Sequence, residues 1–192
     1  MFYKISKYNP NDYDENGKYR YPKEWTGYSD INKKSCFPVL TRKEYERVEE
    51  LYLKTIEEIA ISSKTDSFEI RRLERWTIQS YKWRQSKKYH VMKIKSFIRD
   101  CLRNRVWGVI VGRELVIDVG YDFYVHVQCN LSVETVSNIC ANSHLYCVET
   151  EFYEIYDVLR EYDGEEIYVP VGMFGNKLRL IIAKVKYSLK KS

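Results

Sequence analysis

The sequence predicts an α+β fold, in which an antiparallel sheet carries two main amphipathic helices and a β addition at the C-terminus. Apolar residues recur at helical spacing in two stretches, near residues 42–62 and 87–103. After Leu102 the pattern changes to runs of β-branched residues separated by short turns. With 44% apolar and 15% aromatic residues, a chain of 192 residues can bury the core that such a fold needs.

The first helix has a clear beginning. Thr41 and Glu44 have the spacing of a capping box, which satisfies backbone N–H groups at a helix N-terminus. We expect a helix over residues 42–62 with a charged, solvated face opposite its apolar face. The apolar face consists of Tyr45, Val48, Tyr52, Ile56 and Ile59.

The second helix is expected over residues 87–103. Its apolar stripe consists of Val91, Ile94, Ile98, Cys101 and Leu102. The opposite face is then basic and points toward solvent, through Lys88, Lys95, Arg99 and Arg103.

Alternating and β-branched segments predict the strands. The clearest is a hairpin of residues 106–111 and 115–119 around the turn Gly112-Arg113-Glu114. Ser132 is placed to cap a short third helix. Further strands are expected at 2–8, 68–73, 121–128, 145–152, 165–171 and 177–187, and an ordered, aromatic-rich loop at 12–40.

Positive charge is segregated in the chain. Residues 71–105 hold twelve Lys and Arg against two acidic residues, a local net charge of about +10, whereas the whole chain carries +5. Such segregation indicates a partner of opposite charge. Flat side chains interleave the cations, namely Trp76, Tyr81, Trp83, Tyr89 and Phe97.

Three interpretations of this segment remain open. It binds the phosphates and stacks on the bases of a nucleic acid, it binds an acidic protein surface, or its cations are only the solvated face of a helix. The helix accounts for residues 87–103 but not for 71–88. The candidate partner-binding residues are therefore Arg71, Arg72, Arg75, Trp76, Tyr81, Trp83, Arg84, Lys87 and Lys88.

No pattern of catalytic or metal-binding residues stands out. The five cysteines include no C-x-x-C pair, and Cys140, His144 and Cys147 lack a fourth ligand. Cys129 or Cys101 has no activating context with a histidine, and Asp118 and Asp122 lack a neighbouring lysine. We expect no enzyme activity, no catalytic residue, no cofactor and no metal.

The compartment follows from what the chain does not carry. Its N-terminus has no signal-peptide core, and no apolar run is long enough to span a membrane. An odd number of cysteines in a chain of this length is typical of reduced thiols. We expect a cytoplasmic protein without a membrane partner; its oligomeric state is not predicted.

Three strings carry a family resemblance: Ile5-Ser6-Lys7-Tyr8-Asn9-Pro10, Glu24-Trp25-Thr26-Gly27-Tyr28-Ser29-Asp30-Ile31, and Gly120-Tyr121-Asp122-Phe123-Tyr124. On these, the chain resembles an uncharacterised group of small bacterial immunity-like proteins over about residues 2–150. The resemblance implies an immunity-like domain at 1–150, with residues 151–192 as a β-rich addition packed on the same domain.

The resemblance implies a non-enzymatic inhibitor that binds and occludes a macromolecular partner, of the toxin-immunity or phage anti-defence type. We expect a protein partner with an acidic surface, because the sequence contains no zinc-finger spacing, no aromatic ribonucleoprotein motif and no Gly-x-x-Gly loop of a nucleic-acid-binding module. The alternative is direct DNA or RNA binding through the same basic, aromatic segment.

Overall fold

The computed structural model describes residues 1–120, 122–150, 156–162 and 165–170. The chain divides into two compact units, Met1–Glu149 and Thr150–Ser192. In the second unit, β8 (Tyr156–Tyr162) and β9 (Glu165–Pro170) form an antiparallel hairpin. The predicted strand at 177–187 lies outside the described residues, and the packing of residues 151–192 on the first domain stays a prediction.

The first unit confirms the predicted α+β architecture, with a seven-stranded antiparallel sheet in the order β3-β2-β4-β5-β6-β1-β7 and helices packed on it. Its strands are β1 (Phe2–Ser6), β2 (Ser67–Arg75), β3 (Lys88–His90), β4 (Val106–Gly112), β5 (Leu115–Val119), β6 (Val125–Cys129) and β7 (Tyr146–Thr150). Its helices are α1 (Arg42–Ser62), α2 (Ile94–Leu102) and α3 (Val133–Asn142). None of the helices in the described residues is both long and apolar enough to cross a membrane.

Helix α1 begins and ends where the sequence predicts. Thr41 Oγ1 accepts a hydrogen bond from the backbone N–H of Glu44 at 3.2 Å, which caps the first turn. Two buried tyrosines on its apolar face satisfy their hydroxyls on other elements, because Tyr45 donates to Leu102 O at 2.9 Å and Tyr52 to Phe123 O at 2.7 Å. The helix is thereby tied both to α2 and to the turn before β6.

Helix α2 is shorter than predicted. The expectation of a helix from residue 87 is wrong because residues 88–90 pair with β2 instead, with Tyr89 opposite Phe68 and their rings stacked at 5.7 Å. The backbone N–H of Val91 then donates to Asp66 O, and α2 starts at Ile94. Sheet pairing of an aromatic residue outweighs local helical periodicity here.

The basic face of α2 packs along α1 rather than facing water. Arg103 donates two hydrogen bonds of 2.7 Å to Glu49, whose carboxylate is almost fully buried. Arg99 contacts Glu49 and Glu50 at 3.3 and 3.2 Å, and Lys95 contacts Glu50 at 3.2 Å and Glu57 at 3.3 Å. The predicted solvent orientation of Lys95, Arg99 and Arg103 is therefore wrong, since these cations form an ion-pair seam between the two helices.

The strand predicted at 121–128 begins only at Val125. Asp122 and Phe123 have positive φ angles of 57° and 61°, and Gly120 N–H donates to Tyr124 O at 2.8 Å, so the chain turns here. Phe123 is buried among Trp25, Tyr45 and Tyr52. Tyr121 itself lies outside the described residues.

The aromatic loop at 12–40 is ordered, as predicted. Trp25 is buried and meets Phe123 edge to face at 5.2 Å. Lys7 Nζ lies 4.0 Å from the Trp25 ring centroid and pairs with Glu24. Asp30 turns the chain by accepting hydrogen bonds from the backbone N–H groups of Thr26 and Gly27 at 2.8 and 3.0 Å.

The helix seam predicts a stability difference between two glutamates of α1. Replacing the buried Glu49 (Glu49→Ala) leaves Arg103 and Arg99 without this acceptor, and we expect the free energy of unfolding to fall by about 2 kcal/mol. Glu46→Ala removes only an exposed contact with Arg42 at 3.9 Å and is expected to change it by less than about 0.5 kcal/mol. Urea denaturation of both variants measures this, and equal losses would contradict the seam.

Candidate interaction surface

The nine residues singled out in the sequence occupy β2, β3 and the connection between them. Trp76 follows β2, Tyr81 lies in a short 3-10 helix (Ile78–Lys82), and Lys87 precedes β3. The structure does not bring all nine to one surface. It places Trp83 in the core, Arg72 at a bulge of β2, and Arg71 and Lys88 around a cavity. The nine predicted residues are Arg71, Arg72, Arg75, Trp76, Tyr81, Trp83, Arg84, Lys87 and Lys88.

Trp83 is a core residue, not a contact residue. Only 2% of it is exposed, and its ring meets Tyr89 and Phe97 edge to face at 5.2 Å in both cases. Its indole N–H donates to Asp100 Oδ2 at 2.8 Å. The expectation that Trp83 stacks on a base or contacts a partner is therefore wrong.

Asp100, on α2, holds the β2–β3 connection in place. Its buried carboxylate accepts the Trp83 indole N–H and pairs with Lys82 at 2.7 Å and Arg105 at 3.3 Å. The carbonyl oxygen of Arg105 in turn accepts a hydrogen bond from the backbone N–H of Trp76 at 3.0 Å. Both ends of residues 76–83 are thus fixed through one carboxylate.

Arg75 also holds the same connection. Its guanidinium donates two hydrogen bonds to the carbonyl oxygen of Trp83, at 3.1 and 2.7 Å. It also lies 5.5 Å from the centroid of the Tyr81 ring. Arg75 therefore serves the shape of the connection and covers one face of Tyr81.

Three large apolar side chains project from this fixed connection. Trp76 is 46% exposed, Tyr81 is 69% exposed and Ile78 is 86% exposed. We call these three the tip surface. Ile78 is not among the nine residues singled out in the sequence. An aliphatic residue between the polar Thr77 and Gln79, outside any periodic apolar pattern, is a signal that could have identified it.

Much of the positive charge of residues 71–105 is balanced inside the fold. At least six of the twelve cations pair with carboxylates within the described residues, and several of these carboxylates belong to α1 and so escape a local charge count. These cations are Arg71, Lys82, Lys95, Arg99, Arg103 and Arg105. Within the described part of the chain, Arg84, Lys87, Lys88 and Lys93 form no ion pair. The exposed positive charge is consequently smaller than the sequence indicates.

A buried carboxylate lies beside the bulge of β2. Asp118 on β5 accepts a hydrogen bond from the Trp107 indole N–H at 3.1 Å. Burial raises the pKa of Asp118 to about 6, although the Trp107 hydrogen bond and the charge of Arg72 oppose this. Arg72 has a positive φ of 56° within the bulge that separates Arg71 from Glu74.

Asp118 and His126 share a row of the sheet without forming a proton relay. The two residues are register partners on β5 and β6. Burial and the neighbouring Lys4 lower the pKa of His126 to about 4, so the imidazole is neutral near pH 7. The hydrogen bond of Asp118 goes to Trp107, and Nδ1 of His126 lies buried without a partner among the described residues.

The thiols considered for catalysis are buried. Burial raises the pKa of Cys101 well above its usual range and also raises the pKa of Cys129, which disfavours the thiolate that a nucleophile needs. Among the described residues, no group of three or more His, Cys, Asp and Glu side chains is placed to hold a metal ion.

Comparison with protein-family models, with curated proteins and with solved structures gives no match for this chain. The resemblance to immunity-like proteins stays a prediction.

The two tryptophans of the connection are a matched pair for mutation. Trp83→Phe keeps a core ring but removes the N–H donor to the buried Asp100, and we expect it to lower the free energy of unfolding by about 2 kcal/mol. Trp76→Phe alters an exposed ring and is expected to change it by less than about 0.5 kcal/mol. Thermal or urea unfolding distinguishes them; a larger loss for Trp76→Phe would contradict the assignment of Trp83 as the anchor.

Asp118 predicts a specific pH dependence of stability. The pKa of Asp118 is higher in the folded chain than the ordinary 3.8, so the folded state binds a proton more tightly than the unfolded state does. Asp118 therefore lowers the free energy of unfolding increasingly as the pH rises from about 4 to 6. The shift corresponds to about 3 kcal/mol. Asp118→Asn removes the titration while retaining an acceptor for Trp107.

The free energy of unfolding of Asp118→Asn minus that of the unmodified protein should therefore be larger at pH 7.5 than at pH 4, by roughly 2 kcal/mol. Urea denaturation at the two pH values measures the difference. A pH-independent difference would show that Asp118 is ionised in the folded chain with an ordinary pKa.

Proposed function

We propose that this protein is a non-enzymatic inhibitor that binds a protein partner through the tip surface and blocks that partner by occlusion. The observation that carries the proposal is the exposure of Trp76, Ile78 and Tyr81 on a connection held rigidly by Asp100. We place it in the cytoplasm, as an immunity-type or phage anti-defence protein.

The rigid support of the tip surface favours a binding role. Large apolar side chains in water are unfavourable, and clusters of them on a surface commonly mark protein contacts. Trp and Tyr are enriched among the residues that contribute most to interface affinity. Because hydrogen bonds at Trp76 N–H, Trp83 and Arg75 already order the backbone, little conformational entropy remains to be lost on binding.

A protein partner fits the tip surface better than a nucleic acid does. Ile78, the most exposed of the three, has no flat face to stack on a base. The Tyr81 ring already has the Arg75 guanidinium 5.5 Å from its centroid. Arg75 and Lys82 are committed to Trp83 O and Asp100, so neither is held ready for a phosphate.

The remaining charge near the tip surface predicts the character of the partner. Arg84 and Lys87 are exposed, and neither forms an ion pair within the residues described here. A partner with an apolar recess and an acidic rim matches this arrangement, the rim raising the rate of encounter and the recess supplying affinity. Occlusion requires no chemistry beyond tight binding.

The proposal is tested by capture followed by titration. The chain is immobilised as the unmodified protein, as Ile78→Ser/Tyr81→Ser, and as the control Ile61→Ser, which replaces a 59% exposed isoleucine on α1. We expect one defined protein to be retained by the first and third and lost by the second. With that protein purified, the double variant should weaken affinity at least 30-fold, or roughly 2 kcal/mol.

Binding must also abolish the activity of the captured protein at a 1:1 ratio. Retention of the same protein by the double variant would overturn the assignment of the tip surface. Short DNA and RNA oligonucleotides provide the other outcome: binding that falls steeply with added salt, together with no captured protein, would favour direct nucleic-acid binding through residues 71–88 instead.

A further inference from the structure

A basic cavity lies at the N-terminal end of β2, near Ser67, whereas the tip surface follows the C-terminal end of this strand. Its volume is about 420 Å³, within the range of small-ligand pockets. Four cations line it, namely Lys64, Arg71, Lys88 and Arg113, together with the carboxylates Asp66 and Glu69. Ser67, Phe68, Val111 and Gly112 complete the lining.

The four cations come from four separate parts of the chain. Lys64 lies in the turn after α1, Arg71 on β2, Lys88 on β3 and Arg113 in the β4–β5 turn. Gly112 allows this convergence, because a Cβ at its position would lie 2.7 Å from Thr65 Cγ2. The turn after α1 therefore packs closely against the end of β4 at this glycine.

The charge around the cavity is unbalanced. Arg71 pairs with Glu69 at 3.1 Å, which fixes the guanidinium beside the cavity. Lys64, Lys88 and Arg113 form no ion pair within the described part of the chain. Four cations against two carboxylates leave a formal charge of +2 around one concave site.

We propose that this cavity binds the dianionic group of a phosphate monoester. Such a group carries a charge of about −1.5 to −2 at pH 7 and three acceptor oxygens, which suits converging Lys and Arg donors and a net charge of +2. The volume leaves room for a small organic group beside the phosphate, next to Val111. The phosphate belongs to a free small molecule or to the 5′ end of an oligonucleotide.

This site is independent of the proposed function. Its residues lie at β3 and at the Ser67 end of β2, whereas Trp76, Ile78 and Tyr81 follow the Arg75 end. Lys88 and Arg71 therefore leave the set of partner-contact residues and enter an anion site. Loss of phosphate binding leaves the protein-partner proposal standing, and the converse also holds.

Titration with phenyl phosphate, followed by amide NMR shifts of the full chain, tests the site. We expect saturable shifts at residues 64–71 and 111–113. Lys88→Gln and Arg113→Gln should each weaken binding at least tenfold, because each removes one exposed donor of the cavity. Lys93→Gln removes the same charge from an exposed position outside the cavity and should change affinity less than twofold.

Two further ligands distinguish the source of the phosphate. Preference for a 5′-phosphorylated oligonucleotide over phenyl phosphate would assign the group to a nucleic-acid end, and the reverse preference to a free small molecule. Equal binding of 5′-phosphorylated and 5′-hydroxyl oligonucleotides would exclude a nucleic-acid end as the source. Unsaturable shifts with phenyl phosphate, or a loss in Lys93→Gln equal to that in Lys88→Gln, would overturn the proposal.

Discussion

The buried carboxylate of Asp100 is the constraint on which the rest of the candidate surface depends. A buried charge is costly unless its surroundings supply partners, and here Trp83, Lys82 and Arg105 supply three. Trp83 and Lys82 belong to the β2–β3 connection. The contacts that compensate the buried charge of Asp100 are therefore the same contacts that order residues 76–83. The connection would otherwise be a long loop with three solvated apolar side chains. Instead its two ends are held by Asp100 and Arg105, and its Trp83 carbonyl is further bound by Arg75.

Pairing with carboxylates elsewhere in the fold also reduces the exposed charge of residues 71–105. Counted along the sequence, these residues carry about +10, but charge acts through space, and α2 lies against the acidic side of α1. Glu49 alone meets two arginines. Three of the twelve cations, Lys95, Arg99 and Arg103, therefore contribute to helix packing. Arg84 and Lys87 beside the tip surface, and Lys64, Lys88 and Arg113 around the basic cavity, remain without an ion pair within the described residues.

The elements that could be predicted from the sequence are those determined by local chemistry. Helix α1 combines a cap at Thr41 with an uninterrupted apolar stripe, and the β4–β5 hairpin combines β-branched runs with a short turn. Predictions failed where a distant partner decided the outcome. Residues 88–90 joined the sheet because Tyr89 meets Phe68, and Trp83 entered the core because Asp100 accepts its N–H. The basic cavity was not predictable, since its four cations become neighbours only after the turn at Lys64 packs against Gly112.

Strand β3 has a consequence for solubility. It is only three residues long, stands at one edge of the sheet, and carries Lys88 and His90 at its two ends, both exposed. An edge this short, with a charge on it, is a poor template for another strand, so this side of the sheet resists edge-to-edge polymerisation. A protein that keeps an isoleucine and two aromatic rings in water gains from such an edge, because the exposed side chains of the tip surface are not accompanied on this side by a long unpaired strand.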